Sequence, residues 1–185
     1  MLKSLRQIGS ELLTRNPWWD YIKDIYELPD GSEGEYHFVH TPGSIMIVPI
    51  TDQGKLVLVR QYRYLNQREG LEFIGGGIMS GKSADESARE ELLEEAGIIA
   101  GELTWIGEFN PMNGVTDEIC NIFVARSLKK GTAKPDASEE FEVVELDFSI
   151  ICGLINEGSI WDGMTLAAFA LFTQRKHEFL LTITE

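Results

Sequence analysis

Positive charge is scarce in this chain: 16 Lys and Arg stand against 30 Asp and Glu, for a formal net charge of −14. A surface that reads a phosphate backbone is built from clustered Lys and Arg, so nucleic acid is excluded as an expected partner. Histidine is scarcer still. The three present, His37, His40 and His177, have the spacing of neither a zinc site nor a catalytic dyad. Two cysteines, Cys120 and Cys152, make no disulfide framework and no metal-type spacing, which suits a reducing cytoplasm. No apolar run approaches the roughly 20 residues needed to span a bilayer. The segment Met1 to Arg15 lacks the unbroken apolar stretch of a signal peptide and reads as a short amphipathic helix. A cytoplasmic protein with no membrane or nucleic-acid partner is the expectation. With 185 residues, 43% of them hydrophobic, the chain can bury one good core.

What is present is a glycine turn, Gly75-Gly76-Gly77-Ile78-Met79-Ser80-Gly81-Lys82, feeding an acid-loaded helix from Ser83 to Ile98. Ser83 with Glu86 forms a capping-box pattern at its start, and Gly97 is its stop. Ala84, Ala88, Leu92 and Ala96 make an inward stripe. Residues three and four apart share a helix face, so Glu91, Glu94 and Glu95 are expected to converge. Their mutual repulsion gains nothing for a helix alone. A hard divalent cation that takes oxygen ligands, and keeps waters for a phosphate substrate, would turn that cost into a site. A glutamate-rich helix is in the ordinary case only a solvated face; the fixed glycine turn beside it argues for more.

Along the rest of the chain, Asn16-Pro17 closes the first helix. Trp18 to Leu28 and Glu35 to His40 read as a β-hairpin around Pro29-Asp30-Gly31. Ser44 to Ile50 and Lys55 to Tyr64 read as a second hairpin, its latter strand apolar on both faces and so central. Leu71 to Ile74 is a strand running into the glycines. Leu103 to Phe109, Ile119 to Ala125 and Glu142 to Phe148 are further strands, Lys129 to Ser138 is a loop, and Ile150 to Glu157 and Met164 to Lys176 are helices. No internal repeat or low-complexity segment is present. The order of elements gives an α/β fold, a mixed sheet with helices on both sides.

The segment from Gly76 to Ile98 resembles the Nudix box, G-x(5)-E-x(7)-R-E-U-x-E-E-x-G-U, where U is aliphatic. Gly76, Glu91, Leu92, Glu94, Glu95, Gly97 and Ile98 match. Lys82 stands where the box has glutamate, and Glu90 where it has arginine. Val59-Arg60-Gln61-Tyr62-Arg63-Tyr64 and Leu71-Glu72-Phe73 resemble the ADP-ribose and nucleoside diphosphate sugar pyrophosphatase branch. So do Asn16-Pro17-Trp18-Trp19, Leu28-Pro29-Asp30-Gly31 and Glu139-Glu140. The likeness runs from about Asn16 to about Leu171. Ile74-Gly75 replaces the branch's usual Pro-Ala.

The resemblance implies a Nudix α/β/α sandwich in residues 43–185, with an N-terminal helix and β-hairpin in residues 1–42 that pairs two subunits in a homodimer. It implies a Mg²⁺-dependent pyrophosphohydrolase, with Mn²⁺ as the alternative ion, acting on a nucleoside diphosphate-linked small molecule. Glu91 and Glu95, with Glu94 beside them and the carbonyl of Gly75, would hold metal. Glu94 and Glu95 would also serve catalysis, and Glu139 or Glu140, with Glu142 in reserve, would supply the water-activating carboxylate. Arg63 and more weakly Arg60 would bind phosphate, the planar guanidinium suiting a diphosphate better than a lysine would. Glu118 would hold a closing loop. One of Trp18 and Trp19, facing opposite ways on a strand, would stack on the base. Gly76, Lys82, Glu90 and Gly97 would be structural. Because both Lys82 and Glu90 invert the family's signs, an ion pair between them is expected to survive. Two rival readings remain at this level: a non-catalytic Nudix-fold nucleotide sensor or regulator, which the box departures favour and the intact glutamates oppose, and a structural dimerisation module.

Overall fold

The computed structural model describes residues 4–133 and 140–180, and within them the chain forms two units. The first comprises the residues up to Gly43 together with Asn110–Ile119. It is an antiparallel sheet of β1 (Arg6–Arg15), β2 (Asp20–Glu27) and β3 (Glu33–His40), in that order. The helix expected before Arg15 is therefore a strand. A lone helix of this length is marginal in water, whereas β1 gains a complete antiparallel partner. It adds cross-strand ion pairs from Arg6 to Glu27 (2.7 Å), Glu11 to Lys23 (2.8 Å) and Arg15 to Asp20 (2.6 Å).

Trp18 and Trp19 also differ from expectation, for neither lies in a strand. Asn16 Oδ1 accepts from both of their amides, at 2.8 and 2.9 Å, which makes a side-chain-closed turn between β1 and β2. The β2–β3 hairpin forms as expected, turning at Gly31 with φ 84°. The loop Asn110–Ile119 is fastened to β3 by the Val39 amide donating to Val115 O (2.9 Å), Tyr36 Oη donating to Gly114 O (3.1 Å), and His40 Nδ1 with Asp117 Oδ2 (2.7 Å).

The second unit holds β4 (Ser44–Pro49), β5 (Leu56–Arg63), β6 (Arg68–Glu72), β7 (Ile74–Gly77), α1 (Ala84–Ala96), β8 (Ile98–Phe109), β9 (Cys120–Lys130), β10 (Glu142–Leu146), α2 (Phe148–Asn156) and α3 (Gly163–Leu180). A mixed sheet has the order β7-β4-β9-β8, with β4 and β9 parallel; an antiparallel sheet has the order β10-β5-β6. β4 and β5 are thus not a hairpin. They enter different sheets and share a single bridge, Ile50 to Leu56, because β9 and β7 take both edges of β4. β5 is central in its own sheet, as its apolar faces predict.

Side chains alternate along a strand, and β4 uses both faces. Ile45 and Ile47 join Ala88 and Leu92 of α1 in one core, while Met46 and Val48 join Ala168, Phe169 and Phe172 of α3 in the other. This alternation produces the α/β/α layering. The capping box of α1 is formed: the Glu86 amide donates to Ser83 Oγ at 3.2 Å and the Ser83 amide to Glu86 Oε2 at 2.8 Å. The Ser83 bonds hold the Glu86 carboxyl below its usual pKa, so this support is present above the ordinary carboxylate range and is lost as pH falls through it. Gly97 ends the helix in the left-handed region at φ 62°.

Candidate active site

β7 and α1 place the acidic residues. The Glu91 carboxylate lies against bare backbone at Gly76: a Cβ there would stand 2.2 Å from Glu91 Oε1 and 2.6 Å from its carboxyl carbon. The first box glycine is thus required by the carboxylate and not by a turn. Glu95, four residues on, is 8% exposed, and Glu94 lies on the exposed side of α1. Gly75 pairs with Met46 across β4, and a Cβ on it would stand 2.5 Å from Ile45 O. This close approach accounts for glycine at a position where the branch carries alanine. Buried Ile74 continues the same ladder, opposite Ile47.

Among the described residues, no three His, Cys, Asp or Glu side chains gather closely enough to hold a metal ion by themselves. Glu91, Glu95 and the Gly75 carbonyl offer oxygen donors alone. A hard divalent ion that retains several waters needs no more than one or two carboxylates from the protein, so these residues fit such an ion.

Lys82 Nζ stands 2.5 Å from Glu90 Oε2, so the inverted pair of the box makes an ion pair. The hydrogen bond to Glu90 chiefly raises the Lys82 pKa; burial opposes it, and the charges of Glu90, Glu94 and Glu86 add to it. A raised lysine pKa keeps the pair intact through neutral pH, its contribution fading only as pH rises into the alkaline range. Lys82→Glu alone and Glu90→Arg alone are expected to lower turnover, and the double variant to restore it. Steady-state kinetics on the four proteins check this, and a double variant as poor as the combined singles would remove the compensation.

Arg63, at the end of β5, bonds the carboxylate of Glu72 on β6. Its Nε donates to Oε1 at 3.0 Å and Oε2 at 3.1 Å, and its Nη2 donates to Oε2. These bonds are the main cause of its raised pKa; burial opposes them, and the charges of Glu72, Asp162 and Glu95 contribute further. Arg63 therefore lies within electrostatic reach of the buried box carboxylate. Arg60 is placed differently, with Nε on Glu142 Oε2 at 2.9 Å and Nη1 3.8 Å from Glu69 Oε2, so it joins β10, β5 and β6.

The second unit thus contains Gly75, Gly76, Lys82, Glu90, Glu91, Glu94, Glu95, Gly97, Arg60 and Arg63. Trp18, Trp19 and Glu118 belong to the first. Glu140 is exposed on the approach to β10, and Glu139 lies outside the described residues. Three further side chains of the second unit make contacts that spacing does not single out. Glu72 is one. Arg89 is another, donating to Asp85 Oδ1 (2.8 Å) and to Ala100 O (2.9 Å), which ties α1 to β8. The third is Asp162, whose Oδ2 accepts from the Thr165 amide at 2.7 Å ahead of α3. The readable signal for Glu72 is a lone charge inside the apolar run Leu71–Ile74, since such residues are almost never buried unless paired.

A glycine strand thus seats one glutamate and a helix buries another, whose charge acts on an arginine of β5. Residues 39–156 match the NUDIX domain, and the chain belongs to the Nudix family and is a Nudix hydrolase. It is 31% identical over 150 residues to the ADP-ribose pyrophosphatase of Bacillus subtilis (strain 168), covering 80% of each chain. It is 28% identical over 172 residues to the GDP-mannose pyrophosphatase of Pectobacterium atrosepticum, covering 86% of this chain and 89% of that one. Its fold matches the crystal structure of an ADP compounds hydrolase with a TM-score of 0.82, at 24% identity and 96% coverage of both.

Proposed function

We propose that this chain is a divalent-metal-dependent pyrophosphohydrolase that cleaves the diphosphate of ADP-ribose or a nucleoside diphosphate sugar to a nucleoside monophosphate and a sugar phosphate, with Mg²⁺ as the working ion and Mn²⁺ as its substitute. The observation that carries the reading is the pairing of Glu91, seated on Gly76, with Glu95, buried on the same helix and in charge range of Arg63. The names of the two pyrophosphatase relatives support the substrate class. The bound ion would neutralise the transferring phosphoryl group and lower the pKa of an attacking water. Glu91, Glu95 and the Gly75 carbonyl would hold it, and Arg63 would orient the diphosphate. Glu140 or Glu139 would take the proton from that water.

A homodimer formed through the first unit belongs to the same reading. Leu5, Ile8, Leu12, Leu13 and Trp18 are exposed on and beside β1, an edge strand of 10 residues, and Trp18 is 76% exposed. Edge strands left so apolar are usually covered. The test is a panel of ADP-ribose, GDP-mannose and other nucleoside diphosphate sugars with Mg²⁺, Mn²⁺ or chelator, run alongside sedimentation at the assay concentration. The reading expects a dimer that turns over at least one member only when metal is present. Full activity in chelator would overturn the metal assignment, and a fully active monomer the dimer.

A further inference from the structure

Glu72 is more deeply buried than the box glutamate Glu95, at 1% exposure, yet it is not one of the box residues. A carboxylate so placed needs a cation of good geometry. Arg63 supplies it through Nε and Nη2, and Gln61 Nε2 adds a longer bond of 3.4 Å to Oε2. The strand register explains the reach. Val59 faces Glu72, Gln61 faces Gly70 and Arg63 faces Arg68, so these residues share one face of the β5–β6 ladder. Glu72 extends along that face over Gly70, where the missing side chain opens the lane: a Cβ on Gly70 would stand 2.3 Å from Glu72 Oε1. The Arg63 side chain is 46% exposed, although the carboxylate that holds its guanidinium is buried. Of its five N–H donors, the pair on Nη1 is not part of the fork to Glu72.

We propose that Glu72 is a positioning residue: it fixes the Arg63 guanidinium from beneath so that Nη1 is presented to the diphosphate of the substrate. This rests on the pyrophosphohydrolase reading above. The charges of Asp162 and Glu95 also act on Arg63, after the bonds and charge of Glu72. Gly70 is part of the device, since only a residue without a side chain lets the carboxylate pass.

The test is a double-mutant cycle on the full chain, with Arg63→Lys, Glu72→Gln and the pair. Each protein is assayed for ADP-ribose kinetics and for calorimetric binding of inorganic pyrophosphate. Glu72→Gln should raise KM for ADP-ribose about tenfold while kcat changes by less than about threefold, and should weaken pyrophosphate binding in proportion. In the Arg63→Lys background the same change should add less than about twofold, because its route of action is already gone. Gly70→Ala, which crowds the Glu72 carboxylate without removing its charge, should shift KM in the same direction and keeps the test alive if Glu72→Gln does not fold. Unchanged KM and pyrophosphate affinity in either folded variant, or effects of Arg63→Lys and Glu72→Gln that multiply independently, would overturn the proposal, as would a wild-type chain that binds no pyrophosphate. If pyrophosphate binding weakens as expected but the wild type never hydrolyses ADP-ribose, the positioning role stands and the hydrolase reading fails.

Discussion

Replacing Glu95 by Gln is expected to lower turnover by about a hundredfold or more, equivalent to roughly 3 kcal/mol of transition-state stabilisation, with the chain still folded. Glu95 is a carboxylate held at 8% exposure. Gln keeps its volume and removes its charge, so a side chain present for packing alone would leave turnover near normal, whereas one that holds a divalent ion would lose the function. Glu91→Gln should behave alike, because its carboxylate rests on Gly76 and not in the apolar core. Turnover and thermal unfolding measured on the same preparations check this. Near-normal turnover in the double variant would contradict it.

Gly76→Ala should cost at least about tenfold in turnover, of the order seen when a supporting group of a metal ligand is lost, and should weaken metal activation, with the fold intact. The atoms nearest the added methyl would be those at the end of the Glu91 side chain, at 2.2 and 2.6 Å. That end can swing aside, so the collision moves the carboxylate and spares the backbone. Gly76 is not among the glycines with positive φ, so alanine adds no backbone strain and restricts the unfolded chain slightly. Gly97→Ala is the contrast. There φ is 62° and a Cβ would stand 2.9 Å from the backbone nitrogen of Ala133, so stability itself should fall. Metal titration of activity with circular dichroism distinguishes the two. Unaltered metal activation in Gly76→Ala would mean that the Glu91 position does not matter.

The sequence announces α1 because every signal for it is local: the Ser83 and Glu86 box, the inward Ala88 and Leu92, and the Gly97 stop all lie within sixteen residues. β1 is hidden because what makes it a strand is not in its own residues. Its ion pairs reach Asp20, Lys23 and Glu27 on the next strand, and its alternation is blurred by bulges after Gln7 and Leu12. The β4–β5 misreading has the same origin. Asp52-Gln53-Gly54 is a good turn sequence, but β9, more than 70 residues away, takes the edge of β4 that a hairpin would need. In the candidate site, helix spacing singles out Glu91, Glu94 and Glu95, and the resemblance to the Nudix box singles out the Lys82–Glu90 inversion, whose ion pair the structure forms. Spacing passes over Glu72 and Asp162, whose relation to Arg63 is set by a strand register and by the start of α3.

The most direct measurement is the ³¹P NMR spectrum of ADP-ribose incubated with the protein and Mg²⁺. The account predicts that the diphosphate resonances give way to two phosphomonoester resonances, AMP and ribose 5-phosphate, and that chelator stops the change. Persistent diphosphate resonances with every nucleoside diphosphate sugar tried in the presence of metal would contradict it, and release of inorganic phosphate in place of the two monoesters would contradict the bond it names.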